Sequence, residues 1–145
     1  MEKKSILWLD NDPSQVRHNI EALEHSGYHV DVVTRVTEAE SMIDARYYDL
    51  LILDVMVPTW DVEEERRYPP HETEFGRQTG LVFYRLNKDR LRQAGTRVLV
   101  VTIRGEIREA FEKEGLPREW FSTKFAVWEP SDCVMKVEDV LAGSP

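Results

Sequence analysis

The chain is short of cysteine, of histidine and of long apolar runs, and each shortage closes off a class of protein. A single cysteine, Cys133, leaves no internal disulfide and no cysteine-based zinc site. The four histidines, His18, His25, His29 and His71, form no evident ligand set. His25 and His29 have helical i, i+4 spacing, but Gly27 lies between them and ends the helix that would align them. The longest strongly apolar run covers residues 98–103, far too short to span a bilayer. The N-terminus lacks the apolar core and small-residue cleavage site of a signal peptide. The expected location is the cytoplasm, with no membrane contact. Positive charge is scarce as well: 19 Lys and Arg face 27 Asp and Glu, a net charge of -8. That argues against direct nucleic-acid binding, which needs clustered basic residues. The nearest approach to such a cluster, Lys88, Arg90, Arg92 and Arg97, reads as a solvated helix face and its exit.

What is present is enough for one core. The 145 residues are 41% hydrophobic and 32% charged, which fits a single domain over 1–145. Short apolar runs alternate with amphipathic stretches, the pattern of a parallel sheet with helical crossovers. Strands are expected at 6–9, 28–34, 50–53, 98–102 and 120–123. The uninterrupted Leu50-Leu51-Ile52-Leu53 suits a central strand covered on both faces. Asp12, Pro13 and Gln15 read as a helix start with a capping box, followed by the stripe Val16, Ile20, Leu23. Thr37 and Glu40 read as a second capping box, with Ala39, Met42 and Ile43 inward. Further helices are expected from about Gly80, with Val82, Phe83, Leu86 and Leu91 apolar, and over 106–114. A last helix is capped by Ser131 or Asp132 and carries Val134, Val137 and Leu141. Residues 59–79 break the rhythm, with Trp60, an acidic run, Arg66-Arg67 and Pro69-Pro70 but no sustained period. Loops of this length are uncommon in compact domains and often functional. Trp60 and Trp128 either pack locally or form a partner surface.

In open parallel sheets, ligands bind beyond the carboxyl ends of the strands. Here the strands end on Asp10-Asn11-Asp12, Asp54, Thr102 and Lys124. If the first, third, fourth and fifth strands are neighbours, these groups share one pocket. Asp10, Asp54 and the Asn11 amide oxygen offer hard oxygen ligands for Mg²⁺. A carboxylate such as Asp54 can attack phosphorus. A metal and the Lys124 ammonium would offset charge on transferring phosphoryl oxygens, and the Thr102 hydroxyl could hydrogen-bond one of them. Asp12 reads as a cap more than a ligand.

On residues 6–13, 50–58 (Leu-Leu-Ile-Leu-Asp-Val-Met-Val-Pro), 98–102 and 121–124, the sequence resembles the receiver domains of two-component response regulators, over essentially its whole length. The resemblance implies a flavodoxin-like doubly wound α/β fold with five parallel strands in the order 2-1-3-4-5 and a long insertion after the third. It implies Mg²⁺-dependent phosphorylation of Asp54 by a histidine kinase or phosphotransfer protein, and output through a downstream protein. The metal ligands would be Asp10, Asn11, Asp54 and the Met56 backbone carbonyl. Thr102 and Lys124 would assist the transfer, and Thr102 and Phe121 would form the switch. The chain would be no enzyme beyond its own phosphorylation and dephosphorylation.

Four features depart from the family pattern. Asn11 stands where a second carboxylate is usual, Ile103 where a small residue follows the switch threonine, and Phe125 where a proline follows the lysine. The segment from Asp54 to Gly80 is longer than usual by roughly 15–20 residues, against ordinary connections of a few. With Phe125 in place of proline, a trans Lys124-Phe125 bond is expected, because a cis bond before a non-proline costs about 2.5–4 kcal/mol. Phe125 would then pack on the last helix and Lys124 would reach Asp54 less directly. Two alternatives follow: a phosphorylation-independent protein-binding module of the same fold, and a haloacid-dehalogenase-type phosphatase using Asp10.

Overall fold

Residues 3–143 are described by a computed structural model of the chain. Five strands form one all-parallel sheet: β1 (Ser5–Leu9), β2 (His29–Val33), β3 (Leu50–Leu53), β4 (Arg97–Thr102) and β5 (Phe121–Thr123). Their order is β2-β1-β3-β4-β5, as the sequence led us to expect. The helices are α1 (Arg17–His25), α2 (Val36–Ala45), α3 (Val62–Arg67), α4 (Pro70–Thr73), α5 (Thr79–Ala94), α6 (Arg108–Lys113) and α7 (Pro130–Ala142).

β3 is apolar at every position, and β1 and β4 are apolar between their ends, because both faces are covered, and successive side chains feed two different cores. Leu7, Leu9, Leu51, Leu53, Val98 and Val100 pack with Ala39, Phe83 and Phe111 from α2, α5 and α6. Ile6, Trp8, Leu50, Ile52, Leu99 and Val101 pack with Leu23, Cys133 and Val137 from α1 and α7. No helix among the described residues is long and apolar enough to cross a membrane.

Several local expectations are corrected. Residues Pro13–Val16 form a single 3-10 turn ahead of α1, and Asp12 makes no side-chain cap bond to the backbone. Its carboxylate instead accepts from the Ser14 hydroxyl. Neither Ser131 nor Asp132 caps α7, which opens at Pro130 behind Glu129. Its buried stripe is Cys133, Val137 and Val140, with Val134 and Leu141 only partly covered. Leu86 is 46% exposed because Asn87 takes the inward position and donates to the Phe83 carbonyl.

Residues 59–79 are better ordered than their pattern suggests. They form α3 and α4 and dock on α2 through polar groups, which hydrophobic periodicity cannot signal. Glu64 is fully buried, and its carboxylate accepts from the Thr37 amide (3.2 Å), the Thr37 hydroxyl (2.6 Å) and the Trp60 amide (2.9 Å). The Arg67 guanidinium grips Glu40 at 2.5–2.9 Å, and Asn87 donates to the same carboxylate at 3.1 Å. Thr37 and Glu40 are thus docking residues for the inserted segment. The residue before α2 is Arg35, whose side chain makes no cap bond and reaches Asp61 at 2.7 Å.

Candidate functional site

The sheet carries its polar groups to one end. Hydrogen bonds of the sheet continue one residue past three strands: Asp10 N to Val33 O (3.1 Å), Asp54 N to Leu9 O (3.0 Å) and Lys124 N to Thr102 O (2.8 Å). The backbones of Asp10, Asp54 and Lys124 are therefore fixed by the same ladder that builds the core. Their side chains meet: Lys124 Nζ lies 3.2 Å from Asp10 Oδ2 and 3.2 Å from Asp54 Oδ2. The remaining oxygens are held by turn amides, Asp10 Oδ1 by Asp12 N and Asp54 Oδ1 by Val55 N, each at 2.8 Å. Gly80, in the first turn of α5, lies against this backbone. A Cβ there would come within 2.7 Å of Val55 Cα, so the inserted segment can return beside Asp54 only through a glycine.

Above the carboxylates is a cavity of about 430 Å³ whose walls include Asn11, Asp54, Met56 and Lys124. Asp10 is fully buried beneath them. Phe75, Gly76 and Arg77 complete the rim from the inserted segment, although these three residues carried no sequence signal of their own. They are presented by a run of left-handed backbone at Glu74 (φ 50°), Phe75 (φ 56°) and Gly76 (φ 91°). Only the glycine hints at that turn in the sequence. Arg104 fixes the rim by donating to the Arg77 carbonyl at 2.8 Å. Tyr68, also in the inserted segment, is fully buried.

Thr102 ends β4 at the expected register, but it is fully buried and its hydroxyl accepts from Arg104 N at 3.1 Å. Phe121 lies in the core beside Phe111, under the Arg108 guanidinium. The Lys124-Phe125 bond is trans, since no cis peptide occurs among the described residues. Two linked expectations fail. Phe125 is 78% exposed and does not pack on α7, and Lys124 reaches Asp54 all the same. The turn after β5, with Ala126 N on the Thr123 carbonyl and Trp128 N on the Phe125 carbonyl, turns Phe125 outward and leaves the lysine on the ladder.

The electrostatics are unbalanced. Burial pushes the Asp54 carboxyl up to about 6; Lys124 pulls it down, and the charge of Asp10 adds to the rise. Burial also works against the Lys124 ammonium, yet Asp54 and Asp10 together outweigh it and its pKa is raised. The two shifts agree physically. One ammonium gains from two carboxylates, while each carboxylate has half an ammonium to set against its desolvation. Asp10 Oδ2 meets Lys124 Nζ at 3.2 Å, off the line of a well-aligned hydrogen bond. Asp10, Asp54, the Asn11 amide and the Met56 carbonyl are hard oxygen donors of the kind Mg²⁺ takes.

No family model matches the chain, and no curated protein sequence matches it. Solved structures do. The chain is similar to the receiver domain of the Francisella response regulator 1452, with a TM-score of 0.69 and 17% identity, covering 96% of this chain and 97% of that one. The CheY-like response regulator receiver domain protein of Methanospirillum hungatei gives a TM-score of 0.69 at 19% identity, with 96% and 94% covered. Chemotaxis response regulator CheY4 of Vibrio cholerae gives 0.70 at 17% identity, with 95% and 98% covered. The fold is that of the CheY-like receiver domains, a five-stranded flavodoxin-like sheet wound on both faces.

Proposed function

We propose that the chain is a response-regulator receiver domain that accepts a phosphoryl group on Asp54 and signals through protein contacts. The observation that carries this reading is the meeting of Lys124 with both strand-end carboxylates at 3.2 Å, at the floor of an open cavity. An Asp54 carboxylate oxygen bonds to phosphorus while the bond to the donor, a phosphohistidine of a kinase or phosphotransfer protein, breaks in line. Lys124 balances charge on the phosphoryl oxygens. Mg²⁺, held by Asp10, Asn11, Asp54 and the Met56 carbonyl, supplies the rest of that balance when bound. The buried Asp10 Oδ2, without an aligned donor, supports a cation there. The work of the protein is a cytoplasmic signalling step without membrane or nucleic-acid contact of its own.

Thr102 favours a second reading, the phosphorylation-independent binding module, because its hydroxyl is engaged by Arg104 N and does not line the cavity. In the first reading this bond breaks when the phosphoryl group arrives, and Thr102 and Phe121 move together. The phosphatase reading is disfavoured, since Asp10 is fully buried and Asp54 faces the cavity.

Intact-mass measurement after acetyl phosphate and Mg²⁺ separates these readings. Wild type gains one phosphoryl group and Asp54→Asn gains none, with the far-UV spectrum unchanged, because a carboxamide is nearly isosteric but a poor nucleophile. Equal labelling of both proteins, or of neither, removes the Asp54 reading.

A further inference from the structure

At the opposite end of the sheet, where the strands begin, lies a second cavity of about 490 Å³ between α5, the residues after α6 and the start of β4. Its size falls within the range of small-molecule sites, roughly 300–1,000 Å³. Leu91 and Val98 give it an apolar floor, and Tyr84 and Trp120 supply flat aromatic walls. Gly115 lines one side, with φ +98° and the Arg92 guanidinium beside it.

Of the three basic residues that line the cavity, Lys88, Arg92 and Arg97, two are committed elsewhere. Arg85 and Lys88 on the same helix both go to Glu114, and Arg90 goes to Asp44. Arg97 donates to the Val140 carbonyl. Arg92 has no ion pair among the described residues, although it borders the cavity. Beside it, the Tyr84 hydroxyl is pushed upward in pKa by burial and is eased down by Arg92. A guanidinium and a phenol hydroxyl at the edge of an aromatic slot are the complement of a flat ring bearing a carboxylate.

The cavity is also connected to the far end of the sheet. The Tyr84 ring lies 5.8 Å from that of Phe111, which lies 6.1 Å from that of Phe121, centroid to centroid. Trp120 is bonded directly to Phe121, and β5 runs from Phe121 to the residue before Lys124. We propose that this cavity binds a small aromatic carboxylate between Tyr84, Arg92 and Trp120, and that its occupancy is felt at Phe121. The binding stands on its own geometry; its effect on a phosphorylation switch rests on the function proposed above.

The test uses the full chain and 2-naphthoate, with uncharged 2-naphthalenemethanol as the matched probe. The readout is the Trp120 indole N–H in ¹⁵N–¹H spectra, identified by its loss in Trp120→Phe. Naphthoate should shift it saturably with a Kd tighter than about 1 mM, and the alcohol should bind at least about tenfold more weakly. Arg92→Gln, a change at an exposed position, should weaken naphthoate about tenfold, while Arg90→Gln should not. The Phe121 amide should shift along the same isotherm. No saturable Trp120 shift, equal affinity for acid and alcohol, or full affinity in Arg92→Gln would overturn the site. Saturation without movement of the Phe121 amide would overturn the coupling. A chain that binds naphthoate but takes no label from acetyl phosphate keeps this site and loses the phosphoryl reading, so the two failures are told apart.

Discussion

Asp54 is a carboxylate that burial makes reluctant to ionise. Its pKa stands near 6 against an ordinary value of 3.8, so between these two pH values the folded chain holds a proton that the unfolded chain has released. Stability from this group is therefore greatest below pH 3.8, falls as pH rises through the window and stays low above 6. Asp54→Asn removes the buried charge and leaves Lys124 its contact with Asp10. In metal-free buffer the variant should be more stable than wild type at pH 7 by about 1–3 kcal/mol, with the difference vanishing by about pH 4. Urea unfolding at the two pH values checks this, and a less stable variant at pH 7 would mean that Lys124 outweighs desolvation. Asp10 and Asp54 were legible in the sequence because each follows an apolar strand, and Lys124 because it ends the fifth strand in the same order. The engagement of the Thr102 hydroxyl was not, since it depends on where one later amide points.

Among the elements, the inserted segment has the most unusual attachment. Its dock on α2 is a buried carboxylate, Glu64, shared by three donors, with Arg35 Nε 3.7 Å away. Removing the carboxylate leaves those partly buried donors without their partner, a loss of about 1–3 kcal/mol. Glu64→Ala should release residues 59–79, so that limited proteolysis within them speeds up by about tenfold or more while the far-UV spectrum keeps its sheet and long helices. Glu64→Gln, which still accepts through its amide oxygen, should lie between the two. Cleavage as slow as in wild type would show that Arg67–Glu40 and Tyr68 hold the segment without Glu64. This dock explains why helices were legible at α1, α2, α5 and α7 but not at α3. The former bury apolar stripes, whereas α3, Val-Glu-Glu-Glu-Arg-Arg, buries a glutamate, and no periodicity separates the middle carboxylate from its two exposed neighbours. The Thr37 and Glu40 pattern misled for the same reason: a residue pair suited to capping is equally suited to receiving another segment.

For the molecule as a whole, the parallel topology gathers two carboxylates and one ammonium from three strands, so the centre is also a tie between strands. With Lys124 present, β1, β3 and β5 converge on a partly compensated cluster. Without it, two adjacent carboxylates remain buried with their positive partner gone. Breaking a buried pair by deleting one member typically costs about 3–5 kcal/mol, and Lys124→Met should lower stability on that scale in chelator-treated buffer at pH 7. Millimolar Mg²⁺ should return part of the loss. A cation bound to the native carboxylates and not to the unfolded chain stabilises by an amount that grows with its concentration over Kd. Wild type should gain less from Mg²⁺ than the variant, because Lys124 already occupies the space between the carboxylates. Asn11→Asp should widen the gain in both backgrounds by adding ligand charge. Thermal melts of the four proteins, wild type, Lys124→Met, Asn11→Asp and the double variant, with and without Mg²⁺, measure this directly. If Mg²⁺ leaves the melting temperature of Lys124→Met unchanged, Asp10 and Asp54 do not form a cation site, and the phosphoryl reading loses its metal while the fold and its strand-end cluster stand.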